Sequence, residues 1–395
     1  MHLKVSNRAG VGIALLFVAL MAALPLAQGY WTWTSTMIGS ATDSYDFYAN
    51  SLAFSPATGY PATAYSGPLS SPSVNFAYFD GESWQKQVVD RRPGKNCCST
   101  SLAFNPVTNR PSIAYRTSGG LKLANWTNAG WQSQLVDSTA DTPTGNDVPL
   151  EFVVTSGNVH PSIAYRAPVG KGTKQTTSLR YAWLDGTTWR VESVDQPAVG
   201  GSVSMASDPN TGGPAIAYST GWSGAVYPYS TLKFAVRNPD TGAWDVESIT
   251  TAYSAGRNAT LAYDNTGTPA VVDAEGVSTG TCVLQLWRRL GKGVWEPSEI
   301  AGPGIGFQPQ LKFDSDGQAI VRYLYGGNYW KVMIARLPVD ADVWTHEVVV
   351  ESQDGVITFD APSLALSNAG LPAVVYRSHA WQGSRWAQVY AQASR

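Results

Sequence analysis

Asp273 and Arg322 stand at a position where five other stretches of the chain carry tyrosine: Tyr65, Tyr115, Tyr165, Tyr218 and Tyr376. Opposite charges at equivalent points of neighbouring repeats can form an ion pair that locks the repeats together, or a polar patch that grips a substrate. One residue further on, Arg116, Arg166 and Arg377 could each meet a carboxylate through two parallel hydrogen bonds. On the preceding strand an alanine position holds Glu151 in one repeat and Lys312 in another, and such charges must either pair or line a central cavity. Asp273 with Glu275 or Glu151 would supply the two carboxyls of a glycoside hydrolase, which stand roughly 5 to 9.5 Å apart. Arg116, Arg166 or Arg377, with His379 or a loop tyrosine moving the proton, would instead suit proton abstraction from a uronate.

Other chemistries lack their residues. Of the four histidines, His2 lies in the leader, the spacing predicts a turn at His160 and an outer strand at His346, and only His379 falls among the long loops. No zinc or di-metal spacing follows from that set. No cofactor motif is present, while the loop oxygens of Asp43, Asp46, Asp141 and Asp147 could hold a calcium ion. Nucleophile elbow, phosphate loop and dinucleotide fingerprint are absent in any usable context.

These residues are comparable because the chain repeats. SLAFSPATGYPATAYS, from Ser51, returns as SLAFNPVTNRPSIAYR from Ser101, and the equivalent first-strand positions are Ser51, Ser101, Pro149, Ser204, Thr260, Gln310 and Ser363. Each unit alternates apolar and polar residues at period two between Gly, Asn, Asp and Pro turns, and holds four short strands. The expected fold is all-β: a seven-bladed β-propeller of four-stranded antiparallel blades. The seventh unit stops before its last strand. Trp33 to Ile38 has the spacing of Trp189 to Val194, so the N-terminal strand is expected to close the last blade.

In such a ring, the loops from fourth to first strands and from second to third strands open on one face. They are long here: Ile38 to Asn50, Asp90 to Thr100, Asp137 to Val148, Tyr218 to Thr231 and Tyr376 to Arg385. The opposite face carries tight turns such as Asp80-Gly81 and Asp185-Gly186. The long-loop face therefore attracts the functional reading. It gathers Tyr45, Tyr48, Tyr227, Tyr229, Tyr325, Trp330 and Trp381, whose ring faces suit the C–H surface of a sugar.

Residues 1–29 read as a signal peptide, with Lys4 and Arg8 before an apolar run from Val11 to Leu26; retention as an anchor is the alternative. Residues 30–395 form the propeller. Removing Lys4 and Arg8 from the 27 basic residues leaves 25 against 29 acidic ones, and no basic stripe invites nucleic acid or an anionic membrane. Cys97 and Cys98 are adjacent, so a bridge between them would be strained but would present a flat sulfur surface to a ligand; one of them pairing with Cys282 is the other reading.

The repeat resembles the SLAL-D-x-x-G-x-P-x-IAY…G-x-x-W units of secreted bacterial and archaeal seven-bladed propellers. The architecture is distantly similar to that of sialidases, lectins and polysaccharide lyases. Asp80-Gly81-Glu82-Ser83-Trp84 sits in the turn where sialidases carry S-x-D-x-G-x-x-W, but lacks the residue between Asp and Gly, so the box fails. The resemblance implies a secreted propeller and is nearly silent about activity; the aromatic long loops are what point to a glycan. Two readings stay open: a lectin-like binder, or a glycan-active enzyme, either lyase or hydrolase. A cell-surface protein partner would use the same loops.

Overall fold

The computed structural model describes residues 30–41, 48–67, 71–91, 99–140, 148–155, 157–170, 176–196, 199–220, 229–256, 258–278, 281–326, 330–351, 362–379 and 386–395. Among them the regular structure is all strand. The first repeat is an antiparallel meander of Tyr48–Phe54, Pro61–Ser66, Val74–Phe79 and Trp84–Asp90. The second and third repeats make separate four-stranded sheets of the same order. In the last sheet Ser363–Leu366, Pro372–His379 and Trp386–Ser394 are joined by Thr32–Ala41, which pairs from Thr32↔Ser394 to Ala41↔Trp386. The N-terminal strand thus supplies the fourth strand that the C-terminal repeat lacks.

The fourth to sixth repeats depart from the expected separation, since their strands form one hydrogen-bonded path. Two links cause it. Gly276 pairs with Tyr253 of the preceding repeat, at a spot where a Cβ would lie 2.9 Å from the Tyr253 carbonyl oxygen and only glycine fits. Val294–Phe313 runs unbroken from the outer edge of the fifth repeat to the inner edge of the sixth, because its Gly-Pro-Gly connection is extended and not looped.

Each sheet is buried on both faces, which explains the Ile-Ala-Tyr signature. Ile113 and Tyr115 pack back on Ala62, Ala64 and Phe76 of the first repeat, while Ala114 packs forward on Leu150 and Ile163 of the third. Full burial of one Ile or Leu side chain contributes about 1.5–3 kcal/mol. The recurrent outer-strand tryptophan also reaches back, and its ring meets an aromatic of the preceding repeat edge-on. The pairs are Trp131 on Phe76 at 5.2 Å, Trp244 on Tyr181 at 5.4 Å, Trp295 on Phe234 at 5.2 Å and, across the closure, Trp84 on Tyr390 at 5.3 Å.

The first strands contact one another in a ring: the first repeat's strand touches those of the second and the last, and the sixth touches the last. Side chains at the repeat's anchor position stitch that ring. The amide of Leu102 donates to Ser51 Oγ at 2.9 Å, Leu150 to Ser101 at 3.0 Å, Leu261 to Ser204 at 2.9 Å and Leu311 to Thr260 Oγ1 at 3.0 Å. Leu364 donates to Gln310 Oε1 at 2.6 Å, and Leu52 to Ser363 Oγ at 2.9 Å. Pro149, with no hydroxyl to offer, stands at the junction of the third and fourth repeats.

Candidate functional site

At three junctions the second-strand tyrosine is a fastening. Tyr115 donates to Asp90 at 3.0 Å, Tyr165 to Asp137 at 2.6 Å and Tyr218 to Asp195 at 2.6 Å, each aspartate ending the outer strand of the preceding repeat. A third-strand cation completes each clasp: Lys122 at 3.4 Å, Arg180 at 2.9 Å and Lys233 at 2.9 Å. Burial alone would raise Asp137 and Asp195. The hydrogen bonds from Tyr165, Thr139 and Arg180, and from Tyr218 and Lys233, outweigh it and hold both below the usual carboxylate range. Burial and the neighbouring carboxylate push Tyr165 and Tyr218 well upward. These tyrosines hold sheets together and have no proton to exchange near neutral pH.

The junction of the fourth and fifth repeats is built differently. Thr250 follows Trp244 by the same six residues that separate Asp195 from Trp189, so the clasp aspartate has become a threonine. Asp273 replaces the tyrosine, and Gln285 lies opposite it in the strand register where Lys233 lies opposite Tyr218. Asp273 is fully buried; its Oδ2 accepts the Gly256 amide at 2.9 Å, and its Oδ1 has no hydrogen-bond partner among the described residues. Gly256 can present that amide because it sits at φ +77°, with only 2.4 Å between a would-be Cβ and Ser219 Cβ. Gln285 Oε1 is likewise buried without a partner.

Desolvation pushes Asp273 up to about 7, the Gly256 amide opposing and the charge of Glu275 adding to the rise. Glu275 lies two residues along the strand, hence on the same face of the sheet. It is half-buried, accepts a hydrogen bond from Thr250 Oγ1 at 3.2 Å, and is raised by burial against that bond. Just beyond, Tyr253 meets Tyr229 edge-on at 5.8 Å, and Tyr229 is 72% exposed. A carboxyl able to hold a proton near neutrality therefore lies beside an open aromatic surface at the long-loop end of the sheets.

Asp273 and Arg322 do not form the ion pair anticipated as one outcome of the sequence. The register puts Tyr323, not Arg322, at the tyrosine position, because Gln310 pairs with Arg322 as Thr260 pairs with Val272. Arg322 therefore shares its face with Ile320 and Leu324, toward the last repeat, while Asp273 faces the fourth, and two sheets lie between them. Arg322 donates instead to the Gln308 carbonyl and, at 3.3 Å, to Gln310 Oε1, bracing a backbone held at φ 57°. Burial lowers Arg322 to about 9. Arg116, Arg166 and Arg377 are buried at one register in three different sheets, and the Arg377 guanidinium lies 4.6 Å from the centre of the Trp386 ring. Tyr325 is 43% exposed at the same end of the sixth repeat, while Trp330 packs on the core that includes Ile320 and Val332.

Glu151 and Lys312 line one cavity of about 340 Å³, and the cavity lies among the tight turns, at the end of the first strands opposite the arginines. His160 falls in Asn158–Val169 and not in a turn, and His346 Nδ1 lies 3.0 Å from the Tyr323 hydroxyl. Tyr45, Tyr227, Trp381, Cys97, Cys98, Asp43, Asp46, Asp141 and Asp147 lie outside the described residues, and of Tyr48 and His379 only the place in a strand is described. Cys282 is buried in the core of the fifth repeat. Thr250, Gln285 and Tyr253 were not singled out from sequence, although the six-residue spacing from Trp244 marks the first of them.

Four-stranded antiparallel sheets in a closed succession of contacts define a β-propeller. Solved structures agree on that fold. The chain is similar to a polysaccharide lyase, an ulvan lyase solved with a -[GlcA(1-4)Rha3S]- fragment, at 14% identity and TM-score 0.60, over 91% of this chain and 96% of that one. It is also similar to a protein of unknown function from Dyadobacter fermentans, at 10% identity and TM-score 0.53, over 91% and 99%. A sialidase from Trypanosoma rangeli matches at 10% identity and TM-score 0.46, over 88% of this chain and 54% of that one. No family model matches the chain, and no curated protein matches its sequence.

Proposed function

We propose that residues 30–395 are an exported, seven-bladed β-propeller that binds a polysaccharide on the long-loop face, residues 1–29 being its signal peptide. The observation that carries this reading is the junction of the fourth and fifth repeats. There the fastening clasp is replaced by Asp273, Glu275 and Thr250, next to the Tyr229 and Tyr253 rings. Aromatic rings with a flanking carboxylate stack on sugar C–H faces and accept their hydroxyls. Tyr325 would widen that surface, and Arg116, Arg166 and Arg377 are buried one residue beyond the tyrosine position in three other sheets. The solved relative bound to a glycan fragment shares the fold, which supports a glycan as the ligand class.

Glycan-active chemistry is the second reading, and the raised pair Asp273 and Glu275 favours it. A carboxyl that is still partly protonated near pH 7 can give a proton to a leaving oxygen. Asp273 is too buried to touch substrate, so the half-buried Glu275, raised by burial, is the carboxyl that would face a leaving oxygen, with Asp273 beside it on the same face. The discriminating experiment incubates the protein with neutral and uronate polysaccharides, following retention, new carbon–carbon double bonds and reducing ends. Retention without turnover supports binding; double bonds establish a lyase, and reducing ends alone establish a hydrolase. No retention and no turnover on any polysaccharide would overturn both readings and point to a protein partner.

A further inference from the structure

The cavity between Glu151 and Lys312 sits apart from the long-loop face. In the other repeats the same first-strand position holds Ala53, Ala103, Ala206, Ala262 and Ala365. Met205, Leu261, Tyr263 and Phe313 complete an apolar wall between the two charges. The aspartates on its rim are already engaged. Asp264 accepts the Thr266 and Thr268 amides at 2.9 Å each, and Asp314 accepts the Gln318 amide and side chain at 2.9 Å each. Glu151 and Lys312 form no ion pair with each other at contact distance. Two whole repeats, the fourth and fifth, lie between their strands.

We propose that this cavity is a second ligand site, for a small zwitterion whose ammonium meets Glu151 and whose carboxylate meets Lys312. A simple anion would face Glu151 and a simple cation would face Lys312, while a neutral molecule would leave the half-buried Glu151 with only the charge of the exposed Lys312 acting on it without contact. A ligand with both charges, separated by a short apolar chain lying along Leu261, Met205 and Phe313, satisfies every wall. The volume is near the lower end of ligand cavities, which run from about 300 to 1,000 Å³. An ω-amino acid or a di- or tripeptide with free ends has that size and carries both charges at its two ends.

Calorimetric titration of the whole protein with 6-aminohexanoate and with short peptides tests it. Free-ended ligands are expected to bind, and acetylating the amine or amidating the carboxylate to weaken them by about tenfold or more. Glu151→Ala and Lys312→Ala should each produce the same loss. Both restore the residue that other repeats carry, so their melting temperatures should stay within a few degrees of the parent. Equal binding of capped and free ligands, indifference to both substitutions in variants that melt normally, or absence of binding to the parent protein would overturn the proposal.

Discussion

The junction of the third and fourth repeats and that of the fourth and fifth use the same three strand positions to opposite ends. In the former, Asp195 accepts from both Tyr218 and Lys233, and carboxylate and ammonium match. In the latter, Thr250, Asp273 and Gln285 occupy those places: the carboxyl has moved from the outer strand to the second strand, and a glutamine stands in the register position of the lysine. One arrangement lowers a carboxylate's pKa and fastens two sheets. The other raises it and leaves an oxygen uncommitted. A repeat protein can spare one clasp because its tryptophan contacts and first-strand hydrogen bonds continue through that junction: Trp295 still packs on Phe234 and Leu261 still donates to Ser204.

The contrast gives opposite pH signs. Asp273 is raised in the folded chain from its ordinary value of 3.8 to about 7, so its contribution is fully present below about 4 and is lost as pH climbs to 7. Replacing it in Asp273→Asn should therefore raise stability over the parent by on the order of 4 kcal/mol at pH 8 and by nothing at pH 4, measured by denaturant unfolding at both. Equal effects at the two pH values would break the comparison. Asp137 is depressed, so its clasp stabilises above about pH 4 and fails as pH falls below the ordinary range. Asp137→Ala should cost about 2–3 kcal/mol at pH 7, by leaving Tyr165 and Arg180 without their acceptor, and much less at pH 3. Ser101→Ala removes the acceptor of the Leu150 amide and should cost about 1 kcal/mol at any pH. Tyr229→Ala should change stability by less than about 0.5 kcal/mol, because the ring is exposed, while weakening polysaccharide binding several-fold.

Much of this contrast was readable before any coordinates. The anchor residues Ser51, Ser101, Ser204, Thr260, Gln310 and Ser363 were found as a repeat because each accepts an amide from the next first strand, and geometry of that kind restricts residue type. The substitution of tyrosine by Asp273 was equally visible. Its partners were not, since a side chain facing backward in the ring meets the outer strand of the previous repeat, some 20 residues upstream, and nothing local announces that direction. The same blindness suggested pairing Asp273 with Arg322, which is one residue out of that register and faces the last repeat. The end of the ring at which Glu151 and Lys312 open was not legible, because an alternating strand pattern gives the face of a side chain and not which rim it lies nearer. The joined fourth to sixth sheets depended on Gly276 and Gly304, glycines that a sequence reads as turns.

The account stands or falls on Glu275 and Tyr229. The decisive measurement is titration of residues 30–395 with whichever polysaccharide the protein retains, in the parent, Glu275→Gln and Tyr229→Ala, with melting temperatures recorded alongside. The account predicts a several-fold loss of affinity in both variants with unchanged melting. Parental affinity in both would contradict it and remove the junction of the fourth and fifth repeats from the binding site.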